Sequence, residues 1–175
     1  MCNRFVISSL RFVVLLLLYQ LSHGLTGNER QIFLGEHNKY RKMLMQGLVP
    51  GQPRAAPMQM LTWDDELARK AQLLANKCQV GHDSLEERQT KAFYWVGQNW
   101  AGARSISGAV RIWFDEHKDY SYRSNTCKAG KTCGHYTQIA WATTQKLGCG
   151  YQKCTGRNFP FGGSVVCNYG PGSVI

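Results

Sequence analysis

The sequence predicts a mixed α+β domain stapled by disulfides, and three observations predict it. Three stretches repeat apolar residues at helical spacing, two later stretches read as strands, and six cysteines remain once an N-terminal leader is set aside. With 175 residues, 43% apolar content and five tryptophans, the chain can fill one core and has no room for a second domain.

The leader is the span 1–24. Arg4 and Arg11 flank the apolar run Phe12-Val13-Val14-Leu15-Leu16-Leu17-Leu18, and Ser22-His23-Gly24 places small residues where a signal peptidase needs them. The run is short for a bilayer span, so it reads as a cleaved signal peptide, with a retained anchor as the alternative. One domain over 25–175 and a secreted, extracellular location follow. Loss of Cys2 leaves Cys78, Cys127, Cys133, Cys149, Cys154 and Cys167, an even set that implies disulfides in an exported chain. No zinc-ribbon spacing is present. Spacing alone supports only the short ring from Cys127 to Cys133 and leaves the other pairings open.

Removing Arg4 and Arg11 takes the formal net charge from +10 to +8. Lys and Arg are scattered, which reads as a solvated cationic surface able to adsorb to anionic glycans or membranes through its summed field. No specific nucleic-acid site is expected, and a monomer is.

Phe33, His37, Tyr40 and Leu44 recur at steps of four, three and four from Glu29 on, one face of a helix capped by Asn28 and ended by Gly47. His37 on that apolar face reads as a hydrogen-bonded core histidine. Pro50, Gly51, Pro53 and Pro57 make the next segment a loop. Thr62 caps a second helix with Asp64, Asp65 and Glu66 in its first turn. Its buried stripe is Leu67, Ala71, Leu74 and Cys78, with Gly81 as the stop and His82 beyond. Residues 84–91 read as a charged surface loop.

The stretch from Phe93 to Gly102, with Tyr94, Trp95 and Trp100, is too aromatic to be exposed throughout, and Gly97 and Gly102 bracket a short extended piece. A third helix spans about 107–119 with Val110, Trp113, Phe114 and His117 on its apolar side. Glu116, three residues past Trp113, shares that face, and a buried carboxylate demands a partner. Residues 120–131 are polar and loop-like. The segment Gly134-His135-Tyr136-Thr137-Gln138-Ile139-Ala140-Trp141 sets an imidazole at the start of an apolar helical run. Residues 147–153 and 164–169 read as strands joined through an aromatic, glycine-rich connection. No N-glycosylation sequon is present.

Taken together, the pieces resemble the CAP superfamily of cysteine-rich secretory proteins, insect antigen five and plant group-one pathogenesis-related proteins. Two signatures carry the resemblance, Gly134 to Trp141 and Val165-Val166-Cys167-Asn168-Tyr169-Gly170-Pro171, and His37-Asn38-Lys39-Tyr40-Arg41, Leu61-Thr62-Trp63, Gly97-Gln98-Asn99 and Trp113-Phe114-Asp115-Glu116 accompany them. It covers essentially Glu29 to Ser173. The resemblance implies an α-β-α sandwich around a small, mostly antiparallel sheet, with pairs Cys78–Cys154, Cys127–Cys133 and Cys149–Cys167.

The resemblance also implies a cleft of two histidines and two acids, which here fall on His82, Gln98, Glu116 and His135. Gln98 departs from the family's glutamate, as antigen five proteins do, and removes a charge and a general base. His82 and His135 are the candidate ligands for Zn²⁺, with Glu116 beside them. The chain has no Gly-x-Ser-x-Gly elbow and no His-Glu-x-x-His pair. The expectation is a non-enzymatic binding module for a small apolar ligand or a protein partner, in a secretion, venom or defence. A metal-dependent hydrolase using His82, His135 and Glu116 is the alternative. Ion-channel modulation, which the family ties to a further cysteine-rich C-terminal region, is disfavoured. Sterol carriage is set back by the cross-linked, basic loop at 120–131.

Overall fold

The computed structural model describes residues 24–173, so the leader expected over 1–24 lies outside the described residues except for Gly24. Helix α1 (Gly27–Gln46) starts earlier than the Asn28 cap predicted for it. Thr26 is the cap: its hydroxyl accepts from Glu29 N at 3.2 Å, and the Glu29 carboxylate accepts from Thr26 N at 2.8 Å. This reciprocal box satisfies free amides that Asn28 would leave open. Gly47 ends the helix in the left-handed region, φ 72, as its lack of a Cβ permits.

Strand β1 (Thr62–Trp63) takes up the residue expected to cap the second helix. Thr62 N donates to Gln145 O and Asp64 N to Leu147 O, so the first side chain free to cap is Asp64, whose Oδ1 accepts from Leu67 N at 2.9 Å. Helix α2 (Asp65–Asn76) buries Leu67, Ala71, Leu74 and Ala75. It stops before Cys78, which turns at φ 48 outside the helix and is half-buried rather than a core residue of the last turn. Gly81 belongs to the loop that follows and does not stop the helix. The predicted loop at 84–91 holds a short helix α3 (Leu85–Arg88), boxed by Ser84 and Glu87.

Strand β2 (Gly97–Gly102) occupies the extended piece that its two glycines bracket. Before it, Tyr94 and Trp95 are exposed while Val96 is buried. Helix α4 (Ile106–Asp115) is capped by Ser105 and tightens into a 3₁₀ turn over Glu116–Asp119, so the third helical stretch is two elements. The predicted loop at 120–131 contains a two-stranded ribbon, β3 (Tyr120–Ser121) and β4 (Thr126–Cys127). Helix α5 (Gly134–Ala140) leads into β5 (Lys146–Lys153) and β6 (Gly163–Gly170).

The main sheet runs in the order β1-β5-β6-β2, antiparallel except for the parallel β1–β5 pair. Helix α2 covers one face. A Cβ on Gly148 would lie 2.1 Å from Ala68 N, and one on Gly150 2.4 Å from Gln72 Cα, so only glycine lets the helix backbone rest on β5. Helices α1, α4 and α5 cover the other face. Alternation along β6 sends Val166 and Asn168 towards α2, and Val165, Cys167 and Tyr169 into the larger core with Phe33, Tyr40, Trp113 and Ile139. The molecule is therefore an α-β-α sandwich stapled by Cys78–Cys154, Cys127–Cys133 and Cys149–Cys167. Among the described residues no helix is long and apolar enough to cross a membrane.

Candidate functional site

Strand β2 lies at an edge of the sheet, and its consecutive residues Gln98 and Asn99 point to opposite faces. His82 reaches Gln98 on the α2 side. His135, at the start of α5, is reached from Asn99 on the other side. The four predicted site residues thus form two pairs, His82 with Gln98 and Glu116 with His135, and among the described residues no hydrogen bond joins one pair to the other.

Backbone groups set the state of each ring. Asn168 Nδ2 donates to Leu67 O at 3.2 Å, an oxygen that can only accept, so Asn168 turns its Oδ1 to Gln98. Gln98 Nε2 donates to that oxygen at 2.8 Å and to Asp83 Oδ1 at 3.0 Å. Its Oε1 is left to accept from His82 Nδ1 at 2.8 Å, so the neutral form of the ring has its lone pair on Nε2. On the other side, Glu116 Oε2 accepts from His135 N at 3.0 Å and Tyr136 N at 3.1 Å, and Oε1 accepts from His135 Nδ1 at 2.6 Å. His135 too donates from Nδ1, so the neutral form of the ring has its lone pair on Nε2. Trp113 stacks against it with centroids 6.0 Å apart.

The 3₁₀ turn delivers Glu116 to α5, and Trp113 on the preceding turn is buried beside it, which is the shared face that the spacing predicted. His135 and Glu116 keep 22% and 16% side-chain exposure, and His82 is exposed. Asp83 was not singled out from the sequence. Its side chain is only 4% exposed and pairs with Arg88 at 3.0 Å. Burial pushes its carboxyl up, while the Arg88 guanidinium and the Gln98 amide oppose this. Asn168 was missed as well, although it stands inside the second signature. Asn99 donates to His135 O and to the Tyr169 hydroxyl, and its buried Oδ1 has no partner among the described residues.

His37 sits apart, fully buried, with Nδ1 donating to Phe33 O at 2.7 Å and Nε2 accepting from the Tyr169 hydroxyl at 2.8 Å. Burial lowers its pKa to about 4, so it is a neutral core histidine. A separate cavity of about 350 Å³ opens between the end of α1, the loop at 52–58 and the end of α5. Its walls are mostly apolar: Leu44, Pro53, Met58, Tyr136, Ala140 and Trp141. A larger hollow of about 630 Å³ beside α2 presents Asp65, Arg69, Gln72, Asn76 and Gln152 and is the more polar of the two. Neither hollow is lined by His82 or His135.

A family model described as the cysteine-rich secretory protein family, CAP, matches residues 34–169. The chain belongs to this family. Venom allergen 5 of Vespula maculifrons is 41% identical over 164 residues, covering 86% of this chain and 70% of that protein. Among solved structures, venom allergen-like protein 4 of Schistosoma mansoni superposes with a TM-score of 0.76 at 35% identity, covering 86% of this chain and 92% of that one. NaASP2, solved with Zn²⁺, superposes at 0.68 with 27% identity, covering 85% and 82%.

The CAP site's fit to zinc can be tested on the residues present. Both rings donate from Nδ1 to an oxygen acceptor, the contact that leaves Nε2 to ligate a metal when the ring is neutral. Among the described residues no group of three or more His, Cys, Asp or Glu side chains is arranged to hold an ion. A Zn²⁺ would have at most His82 and His135 as protein ligands, which approach strand β2 from opposite faces, so the residues present do not make a closed structural site.

Proposed function

We propose that this CAP protein is a secreted, non-catalytic binding protein whose ligand is a small apolar molecule held in the cavity between α1, the loop at 52–58 and α5. The observation that carries the reading is the cavity's mostly apolar wall, in a volume of about 350 Å³ that falls in the range of roughly 300–1,000 Å³ common for small-molecule sites. The ring contacts support the non-catalytic half. The side chains hydrogen-bonded to His82 and His135 are Gln98 and Glu116, and among the described residues no Ser, Thr or Cys side chain bonds to either ring.

The test is titration with a dansylated fatty acid, read by fluorescence, on the wild type and on Ala56→Trp, which sets a large ring into the cavity from an exposed position. The expected result is saturable binding that the variant loses at least tenfold without a shift in thermal midpoint. No saturable binding by the wild type overturns the apolar ligand and leaves a protein partner. Turnover of a peptide or ester panel that disappears in His135→Ala overturns the non-catalytic reading.

A second reading, a weak and exchangeable Zn²⁺ site using His82 and His135, is supported by the rings' Nδ1 contacts, which leave Nε2 free on each, and by the likeness to NaASP2, solved with Zn²⁺. It predicts calorimetric zinc binding that either His→Ala substitution abolishes.

A further inference from the structure

All eleven carboxylate side chains of the chain lie at or before Asp119, and residues 120–175 carry six Lys and Arg with no Asp or Glu. The fold gathers half of those cations on one projecting element. Arg123 sits at the tip of the β3–β4 ribbon, and Lys128 and Lys131 sit on the ring that Cys127–Cys133 closes. Every residue from Ser121 to Thr132 is exposed except the half-buried Cys127. None of the ion pairs among the described residues involves Arg123, Lys128 or Lys131. The neighbouring Asp115 is already shared by Arg111 and Lys118.

This element is stiff as well as cationic. Tyr120 pairs with Cys127 and Ser121 with Thr126, and the Tyr120 hydroxyl donates to Asn125 Oδ1 at 2.6 Å. Ser124 bonds to Ser121 and Thr126, each at 2.8 Å. Lys128 N donates to Asp119 O at 2.8 Å and Lys131 N to Lys128 O at 3.0 Å, inside the disulfide ring. Unpaired cations held on a cross-linked scaffold lose little backbone entropy on binding an anion, which distinguishes this patch from the scattered charges elsewhere.

We propose that the hairpin and ring over residues 120–133 dock a sulfated polysaccharide. Arg123, Lys128 and Lys131 supply the charge, and Ser121, Ser124, Asn125, Thr126 and Thr132 supply donors for sulfate and sugar oxygens. Tyr122, 67% exposed, is the one large hydrophobic side chain at the tip. A bilayer would find a single ring to insert, and a nucleic-acid strand would find a single stacking platform where such sites use several.

The test is binding of heparin oligosaccharide at several salt concentrations by three proteins: wild type, Arg123→Ser/Lys128→Ser/Lys131→Ser, and the charge-matched control Lys42→Ser/Arg69→Ser/Lys153→Ser. All six positions are exposed, and circular dichroism checks the fold. The hairpin variant should lose at least tenfold in affinity at physiological salt, with the log–log salt slope reduced by roughly 2. The control should lose less than twofold. Equal losses in both variants overturn the site in favour of the summed field. Absence of wild-type binding at physiological salt overturns the proposal outright. Binding to phosphatidylserine vesicles in place of heparin, with the same dependence on the three cations, overturns the glycan assignment in favour of a membrane.

Discussion

Glu116 and His135 are joined twice: one carboxylate oxygen accepts from the imidazole Nδ1 at 2.6 Å, and the other accepts from the backbone amide of the same histidine at 3.0 Å. The acid therefore fixes the ring's tautomer and the start of α5 together. Glu116→Gln keeps the shape, but its NH₂ must face either the two backbone N–H groups or the ring, where it forces His135 into the tautomer protonated on Nε2. The expected cost is about 1 kcal/mol, for charge-assisted hydrogen bonds replaced by neutral ones. Zinc affinity, measured by calorimetry, should weaken on the order of 10- to 100-fold, as for loss of the group that orients a ligating histidine. A variant with unchanged melting and unchanged zinc affinity would show that the carboxylate holds neither.

Gln98 stands where the resemblance expects an acid, and its surroundings explain why a return to glutamate should be unfavourable. The oxygens of Asp83 and Asn168 both accept from Gln98 Nε2. In Gln98→Glu that nitrogen becomes an oxygen facing two acceptors, one of them a carboxylate already pushed up by burial. One proton must then be shared by the two acids. A carboxyl raised in the folded state adds stability that is present at low pH and lost as pH rises through its folded value. The variant should melt below wild type at pH 7, by on the order of 1–3 kcal/mol, and approach it near pH 4. Adding Asp83→Asn should restore much of the loss at neutral pH, since the amide it introduces can donate to the new carboxylate. Thermal scans at the two pH values decide it.

What the sequence shows and what it hides at this site divide along the range of the contacts. Helical spacing alone marks Glu116 as a face-sharing neighbour of Trp113, and the family resemblance marks His82, Gln98 and His135. The Asn168 amide that orients Gln98 reaches it across the β2–β6 ladder, where Gln98 is paired with Asn168. Strand alternation cannot name that partner without the register. The same limit explains the misplaced cap of α2: Thr62 has a good capping side chain, but its amide is already bonded to Gln145 O, far along the chain on the neighbouring strand's approach. Conversely α1 was legible because Phe33, His37, Tyr40 and Leu44 answer to a local period, and all four are buried.

His37 should make the fold acid-sensitive. Its pKa is lowered from 6.5 to about 4 by burial, so its contribution to stability is present above 6.5 and lost as pH falls towards 4. The full loss is about 3 kcal/mol. The raised Asp83 carboxyl has the opposite sign and offsets part of this in the same acid range. In His37→Gln, which retains a hydrogen-bonding group near the Tyr169 hydroxyl, the drop in melting midpoint between pH 7 and pH 5 should shrink relative to wild type, whatever the absolute stability. An unchanged drop would assign the acid sensitivity to other groups.

Arg41 is a buried cation that makes no ion pair with a carboxylate among the described residues. Its guanidinium donates to the carbonyls of Gln59, Ile139, Trp141 and Thr144, at 2.8 to 3.3 Å. Burial lowers its pKa to about 10, so it stays charged at neutral pH. Two of its acceptors, Ile139 O and Trp141 O, lie at the C-terminal end of α5, where helix carbonyls lack partners and a positive charge is favoured. The residue thus anchors the end of the helix whose start carries His135. Arg41→Met fills much of the volume but strands these carbonyls in the core, at a cost on the order of 3–5 kcal/mol. For a chain of this size that corresponds to roughly 6–20 °C in melting midpoint. Zinc binding to the folded fraction should weaken as α5 loosens, and a variant that melts within a degree of wild type would show that water replaces the guanidinium at no cost.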